Sequence, residues 1–300
     1  MECMPLSNEE LQARVAELEE ELRERQADLK RFRDELGKAN QRLETLISQL
    51  HNELKLAHVI QKALVPTEFP HISGFEFSTK FVPSSLSGGD YFDIFEHEDR
   101  FRFGVIVSSS SGHAMSALLL GVLLKMTSQL EAKKGSEPHQ VLADMLEQLK
   151  ANLTPTDQAD IFYSLIDRRS YEMRFVRAGK VIALHQNFVT GEVQALDSGL
   201  GPLSIGFAPP AGSGSLYLNP RDRVVLCTRG VIEAVNGDGE PYGMERVTRS
   251  FLSGPKRGVH ELRNHVLYEV QKFSGRSEPV RDQTLVVFEV KDKVIKLAKP

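Results

Sequence analysis

Three hundred residues, 41% hydrophobic and 26% charged, make a chain long enough to bury a full core and too polar to be embedded in a membrane. Thirty-seven basic side chains against 41 acidic ones leave a net charge of -4, which gives nucleic acid no global positive field to bind. Two cysteines far apart in sequence, no basic segment leading into an apolar one, and a longest apolar run (117–124) far short of the roughly 20 residues that cross a bilayer set the expectation of a reduced, cytoplasmic protein without leader or membrane anchor.

Residues 1–7 carry no pattern and are expected to be a disordered terminus. From residue 8 to 55 there is no proline, one glycine (Gly37) and dense charge, the composition of a long solvated helix. Leu11, Val15, Leu18, Leu22, Arg25, Leu29, Phe32, Leu36, Ala39, Leu43, Leu46 and Leu50 recur at alternating steps of three and four, a heptad seam interrupted only by Arg25. So narrow a stripe is buried only against a partner helix, and self-association as a parallel homodimer is the economical solution. The phase continues through Ala57, Ile60 and Leu64, so the spacing predicts a coiled coil and helical linker over 8–66, ended by Pro66. This arm serves either to dimerise the chain or to pass a signal into the domain beyond Pro66.

Past that proline the pattern changes to that of a globular domain, 67–300. Short apolar segments bounded by Gly, Pro, Asp and Asn predict strands over 75–81, 101–107, 161–167, 173–178, 181–186, 223–227 and 284–290. Helical patterns cover 115–131, 139–153, 243–252 and 259–273. Short turns at Asp167–Arg169 and Gly179–Lys180 argue for antiparallel hairpins and hence an α+β class, with packed antiparallel sheets and helices outside.

Specific residues then carry a family resemblance. Ala57-His58-Val59-Ile60-Gln61, Leu64-Val65-Pro66 and Leu86-Ser87-Gly88-Gly89-Asp90-Tyr91-Phe92-Asp93 resemble the entry to the bacterial SpoIIE/RsbU-like branch of the metal-dependent PPM protein serine/threonine phosphatases. Ser111-Gly112-His113 with Ala117 resembles that family's DVSGHG segment, Ala178-Gly179 its AGH, and Thr228–Ala234 (TRGVIEA) its TDGVTEA. Tyr242-Gly243 resembles its FG, and Arg281–Val287 (RDQTLVV) its DDxTLVV. The resemblance spans about residues 55–290 in collinear order. It implies a β-sandwich flanked by helices, with two Mn or Mg ions at one end sharing a hydroxide.

Matching the family's metal ligands one at a time retains only Asp90. The bridging aspartate falls on Ser109, in the run Ser108–Ser111; the TDG aspartate falls on Arg229, and the first aspartate of DDxT on Arg281. A guanidinium about 4 Å from a divalent ion, at an effective dielectric near 20, is repelled by about 8 kcal/mol, and arginine does not escape by losing its proton. The expectation is therefore a degenerate pocket of Asp90, Ser109, Ser110, Arg229, Arg281 and Asp282, with no catalytic residue, no metal and no cofactor. Asp93 and Asp282 are candidate surrogate ligands near the motif positions.

Each feature keeps a plainer reading. Asp90 reads equally well as a turn carboxylate, the serine run as a loop, and His113 as a packed or hydrogen-bonded side chain. The two arginines either swing into solvent or pair with Asp90, Asp93 or Asp282, and as a pair they are phosphate-binding candidates. Three functions compete: a pseudophosphatase that regulates by binding (phospho)proteins; an active phosphatase drawing Mn or Mg ligands from Asp282, Asp93 and Glu233; or a coiled-coil scaffold. The resemblance implies partner-switching partners, a phosphorylated STAS-domain antagonist or an anti-sigma kinase, with neither nucleic acid nor membrane.

Overall fold

The computed structural model describes residues 8–64, 66, 68–84, 89–111, 120–126, 130, 134–151, 153–276 and 278–291. The chain divides into two compact units, Met1–Lys55 and Leu56–Pro300. The expected terminus 1–7 and the motif residues Val65, Leu86–Gly88, Gly112, His113 and Ala117 lie outside the described residues.

Helix α1 (Asn8–Leu64) runs unbroken for 57 residues, about 85 Å at the usual rise. Its seam residues Leu11, Val15, Leu18, Leu22, Leu29, Phe32, Leu36, Leu43 and Leu46 are 47–71% exposed. The side chain of Leu50 is outside the described ones. Arg25 is held by Glu21 one turn back, at 2.6 Å. No helix among the described residues is long and apolar enough to cross a membrane.

The second unit is built on two five-stranded sheets. One has the order β1 (Phe75–Val82), β10 (Gln283–Val290), β9 (Arg223–Cys227), β6 (Ile182–Gln186), β7 (Val193–Ala195). The other has the order β2 (Asp90–Glu96), β3 (Arg102–Ser111), β4 (Gln158–Asp167), β5 (Glu172–Ala178), β8 (Gly214–Tyr217). Every pairing between these strands is antiparallel. The two-residue period sorts side chains between layers. Phe92, Val105, Val107 and Phe162 meet Val224, Leu226, Val286 and Phe288 between the sheets. The alternate residues Tyr91, Ile106, Ile161 and Tyr163 pack outward under helix α2 (residues 120–126) and helix α3 (Pro138–Lys150). On the other side Val225, Cys227, Leu285 and Val287 lie beneath the short α4 (Arg229–Ile232), α5 (Gly243–Ser253) and α6 (Val259–Ser274). The result is a helix–sheet–sheet–helix stack, the α+β class that the pattern predicts.

Three local expectations are corrected. The Ser108–Ser111 run is the end of β3, paired with Asp90 and Tyr91 on one side and with Gln158–Ile161 on the other, so it is not a loop. Sheet partners satisfy its backbone, which four small polar side chains had made look solvent-seeking. Asp90–Glu96 is itself a strand, hidden in sequence by the glycine pair before it. Gly179–Lys180 closes no hairpin: β5 and β6 belong to different sheets, and Gly179, at φ 79°, turns the chain across the sandwich. The β4–β5 hairpin at Asp167–Arg169 is present.

Candidate functional site

At one end of the sandwich Asp90 on β2 stands opposite Ser109 on β3, and Ser109 opposite Asp160 on β4. Opposed residues of antiparallel strands project to the same side. Two residues further along, Phe92, Val107 and Phe162 point into the inter-sheet core, so this polar row caps that core. The facing sheet supplies Thr228, just after β9, and Thr284 on β10.

These residues form a clasp between the sheets. Asp90 Oδ2 accepts the hydroxyls of Thr228 at 2.6 Å and Thr284 at 2.8 Å, while the Thr284 amide donates to Thr228 Oγ1 at 2.9 Å. Asp90 is buried, and burial together with the charge of Asp282 pushes its pKa from 3.8 to about 7; hydrogen bonds from Ser109, Thr228 and Thr284 pull the other way. Asp282, also buried, receives the amides of Ser84 at 2.8 Å and Gly89 at 3.1 Å on its two oxygens. It is thus occupied in holding the chain that leads into β2.

The arginines lie beside this clasp. Arg229 opens α4, its side chain largely buried, with Nε 3.2 Å from Asp160 Oδ2 and 3.4 Å from Glu233 Oε1. Arg281, half exposed, places Nε 3.1 Å from Glu233 Oε2, and Lys180 Nζ is 3.9 Å from Glu233 Oε1. Burial raises the pKa of Asp160, and Arg229 opposes that rise.

This donor set does not fit a dinuclear metal centre. Asp90, the one acidic residue at an expected ligand position, has an oxygen engaged by two hydroxyls; Ser109, at the expected bridging position, is neutral, and Arg229 contributes a fixed positive charge beside Asp160. Among the described residues no group of three or more His, Cys, Asp or Glu is placed to hold a metal ion.

The structure brings together Asp90, Ser109, Asp282, Arg229 and Arg281, and corrects the roles of several residues. Neither arginine pairs with Asp90, Asp93 or Asp282; their partners are Asp160 and Glu233. Asp93 is no surrogate ligand, because three steps along a strand put it on the outer face, where it accepts the Tyr91 hydroxyl at 3.1 Å. Ser110 likewise points away from Asp90, and its hydroxyl donates to the Gly89 carbonyl at 3.0 Å. Asp160, Thr228, Thr284 and Lys180 were not anticipated. An aspartate opening the apolar run Ile161–Leu165 was the available signal for the first of these.

This stack of helices on two antiparallel sheets, with the polar cluster at its end, defines a PP2C-type phosphatase fold. The sequence model of the family "Stage II sporulation protein E (SpoIIE)" matches residues 99–291, and the chain belongs to that family. Phosphoserine phosphatase RsbP of Bacillus subtilis (strain 168) is 25% identical over 254 residues, which cover 80% of this chain and 58% of RsbP. The chain therefore spans less than two thirds of that relative. The PP2C domain of SiaA from Pseudomonas aeruginosa superposes with a TM-score of 0.69 at 18% identity, over 81% of this chain and 97% of that domain. The PP2C domain of Bacillus subtilis SpoIIE, solved with a fragment of its regulatory domain, gives 0.60 at 16% identity, over 72% and 63%.

Proposed function

We propose that this protein is a catalytically silent SpoIIE-family phosphatase, a pseudophosphatase that works as a homodimeric, cytoplasmic signalling regulator by binding (phospho)protein partners. One observation carries the reading: the positions that resemble metal ligands are engaged by the chain's own side chains, Asp90 with two threonines and Arg229 with Asp160 and Glu233. A fixed guanidinium beside Asp160 disfavours a divalent cation there. The partners fit partner switching: a phosphorylated STAS-domain antagonist, in keeping with RsbP being a phosphoserine phosphatase, or the anti-sigma kinase opposing it. Calorimetric titration of Mn into metal-stripped protein is expected to give no binding up to millimolar concentration and no release of phosphate from a phosphoserine peptide. Two-site micromolar binding with turnover would overturn the reading.

The dimer rests on α1. Its heptad phase places Arg14 and Asp28 at g positions and Glu19 and Arg33 at e positions. In a parallel pair Arg14 meets Glu19 of the other copy and Asp28 meets its Arg33, with no like-charged contact; the fully overlapped antiparallel pair sets Asp28 against Glu35. Arg25, already neutralised by Glu21 at 2.6 Å, is tolerated on the seam. Oxidising a Leu18→Cys, Cys3→Ser chain is expected to yield a covalent dimer, since parallel packing stacks residue 18 on its own copy. A dimer that resists this cross-link is antiparallel. The remaining Cys227 is buried, with its pKa pushed up to about 12, and does not compete.

A further inference from the structure

We propose that the cations gathered on Glu233 form a phosphate-binding site that this carboxylate holds closed, the ligand being a phosphomonoester such as a phosphoseryl side chain. The inference rests on the reading of the chain as a phosphoprotein binder and adds the site and its gate.

Three cations from three separate segments converge on one carboxylate. Lys180 comes from the crossing between β5 and β6, Arg229 from the start of α4, and Arg281 from the loop before β10; their nitrogens lie 3.9, 3.4 and 3.1 Å from Glu233. Asp160 beneath them is the second negative charge. Three positive charges thus face two negative ones, and with Glu233 turned away they face one. The excess is local, in a chain whose net charge is -4.

Arg229 supplies an independent observation. Its Nε is buried and makes no hydrogen bond of acceptable geometry, although two carboxylates lie within ion-pair distance. Buried donors are nearly always paired, and a buried guanidinium left without a well-aligned acceptor is costly. A phosphate presents three oxygens around a tetrahedron and more negative charge than a carboxylate, so it reaches several differently directed donors at once. Glu233, planar and tethered at the end of α4, divides two oxygens among three cations.

The gate has room to open. The Glu233 side chain is 34% exposed, and a cavity of about 160 Å³ lies against it, bounded also by Gly230, Ser274, Arg276, Arg281 and Gln283. Arg276 adds a further cation at that rim, with Glu278 on the same rim. Swinging Glu233 towards solvent trades a partly exposed ion pair, worth little by itself, for a charge-assisted contact to an entering phosphate.

The test uses the full chain in EDTA, with O-phosphoserine as probe, acetate as the competing anion, and affinity read by calorimetry. Glu233→Gln is expected to bind phosphoserine at least tenfold more tightly than the wild type, with no comparable gain for acetate. Adding Arg281→Ala is expected to remove the gain. Lys180→Glu, at an exposed side chain where misfolding is no concern, is expected to weaken binding on its own. Unchanged phosphoserine affinity in Glu233→Gln, or an equal gain for acetate, overturns the gated phosphate site. Neither result touches the silent-phosphatase reading, which fails only on Mn binding with turnover.

Discussion

Replacing Asp90 with asparagine is expected to stabilise the domain at pH 8 and flatten its dependence on pH. In the folded protein the Asp90 carboxyl keeps its proton up to about pH 7, because burial and the neighbouring Asp282 disfavour a second charge; in the unfolded chain it loses that proton near 3.8. Between those values the native state binds more protons than the unfolded state, so stability falls as pH rises, by at most about 1.4 kcal/mol per unit, and levels off above pH 7. Asparagine retains an oxygen for the Thr228 and Thr284 hydroxyls and never ionises. Urea unfolding at pH 5, 6.5 and 8 should show the wild type weakening across the series and Asp90→Asn nearly constant, the variant ahead by about 2 kcal/mol at pH 8. A variant weaker than wild type at pH 8 would mean that the ionised carboxylate is the form the clasp needs.

Where the pattern is strong, the sequence was readable. The helix predicted over 8–66 is found as α1 (Asn8–Leu64), and β9, predicted over 223–227, is found at Arg223–Cys227, where a strand on either side and layers on both faces leave every residue buried. β7 and β8 escaped prediction because they are edge strands of three and four residues with half-exposed side chains, too short and too polar for a period to register. The motif residues Asp90, Ser109 and Arg229 lie together at one end of the sandwich. What they did not convey is pairing: Arg229 meets Asp160 only because β4 lies beside β3, a non-local fact set by register. The i,i+4 spacing of Arg229 and Glu233 was visible in sequence, yet only the fold adds Lys180 and Arg281 to the same carboxylate.

The same register explains how a phosphatase fold tolerates arginines where metal ligands are expected. Asp160 lies one strand beyond Ser109 in the polar row, so a guanidinium arriving from α4 finds a buried carboxylate there. Removing Arg229 would leave Asp160 buried without its ion pair, a larger penalty than the pair's own net contribution. Substitution at 229 and the carboxylates at 160 and 233 thus have to be understood together. Arg229→Asp, which gives position 229 the residue of the TDG motif it resembles, would put a third carboxylate against those two.

The most damaging single substitution near the site is expected to be Gly230→Ala. Position 230 is helical, with no left-handed backbone to accommodate, so propensity alone favours alanine by up to about 1 kcal/mol. Sterics reverse that sign. A Cβ there would lie 1.9 Å from the Asp282 carbonyl oxygen, 2.9 Å from its carbon and 3.2 Å from the Arg281 oxygen, all backbone atoms that no side-chain rotation clears. α4 must therefore back away from the segment before β10, breaking the Gln283 Nε2 bond to the Gly230 carbonyl and shifting Asp282 off the Ser84 and Gly89 amides. A loss of about 3 kcal/mol is expected, at the high end for overpacking because two backbone segments have to move. Denaturant unfolding at pH 7 measures it, and an alanine variant as stable as wild type would show that the approach of α4 to β10 is not as tight as described. Moving Asp282 also removes the charge that holds the Asp90 proton, so the same variant should lose part of the wild-type pH dependence. The clasp and the glycine contact are in this way one structural unit, and a stability series in pH on Gly230→Ala tests both ends of it.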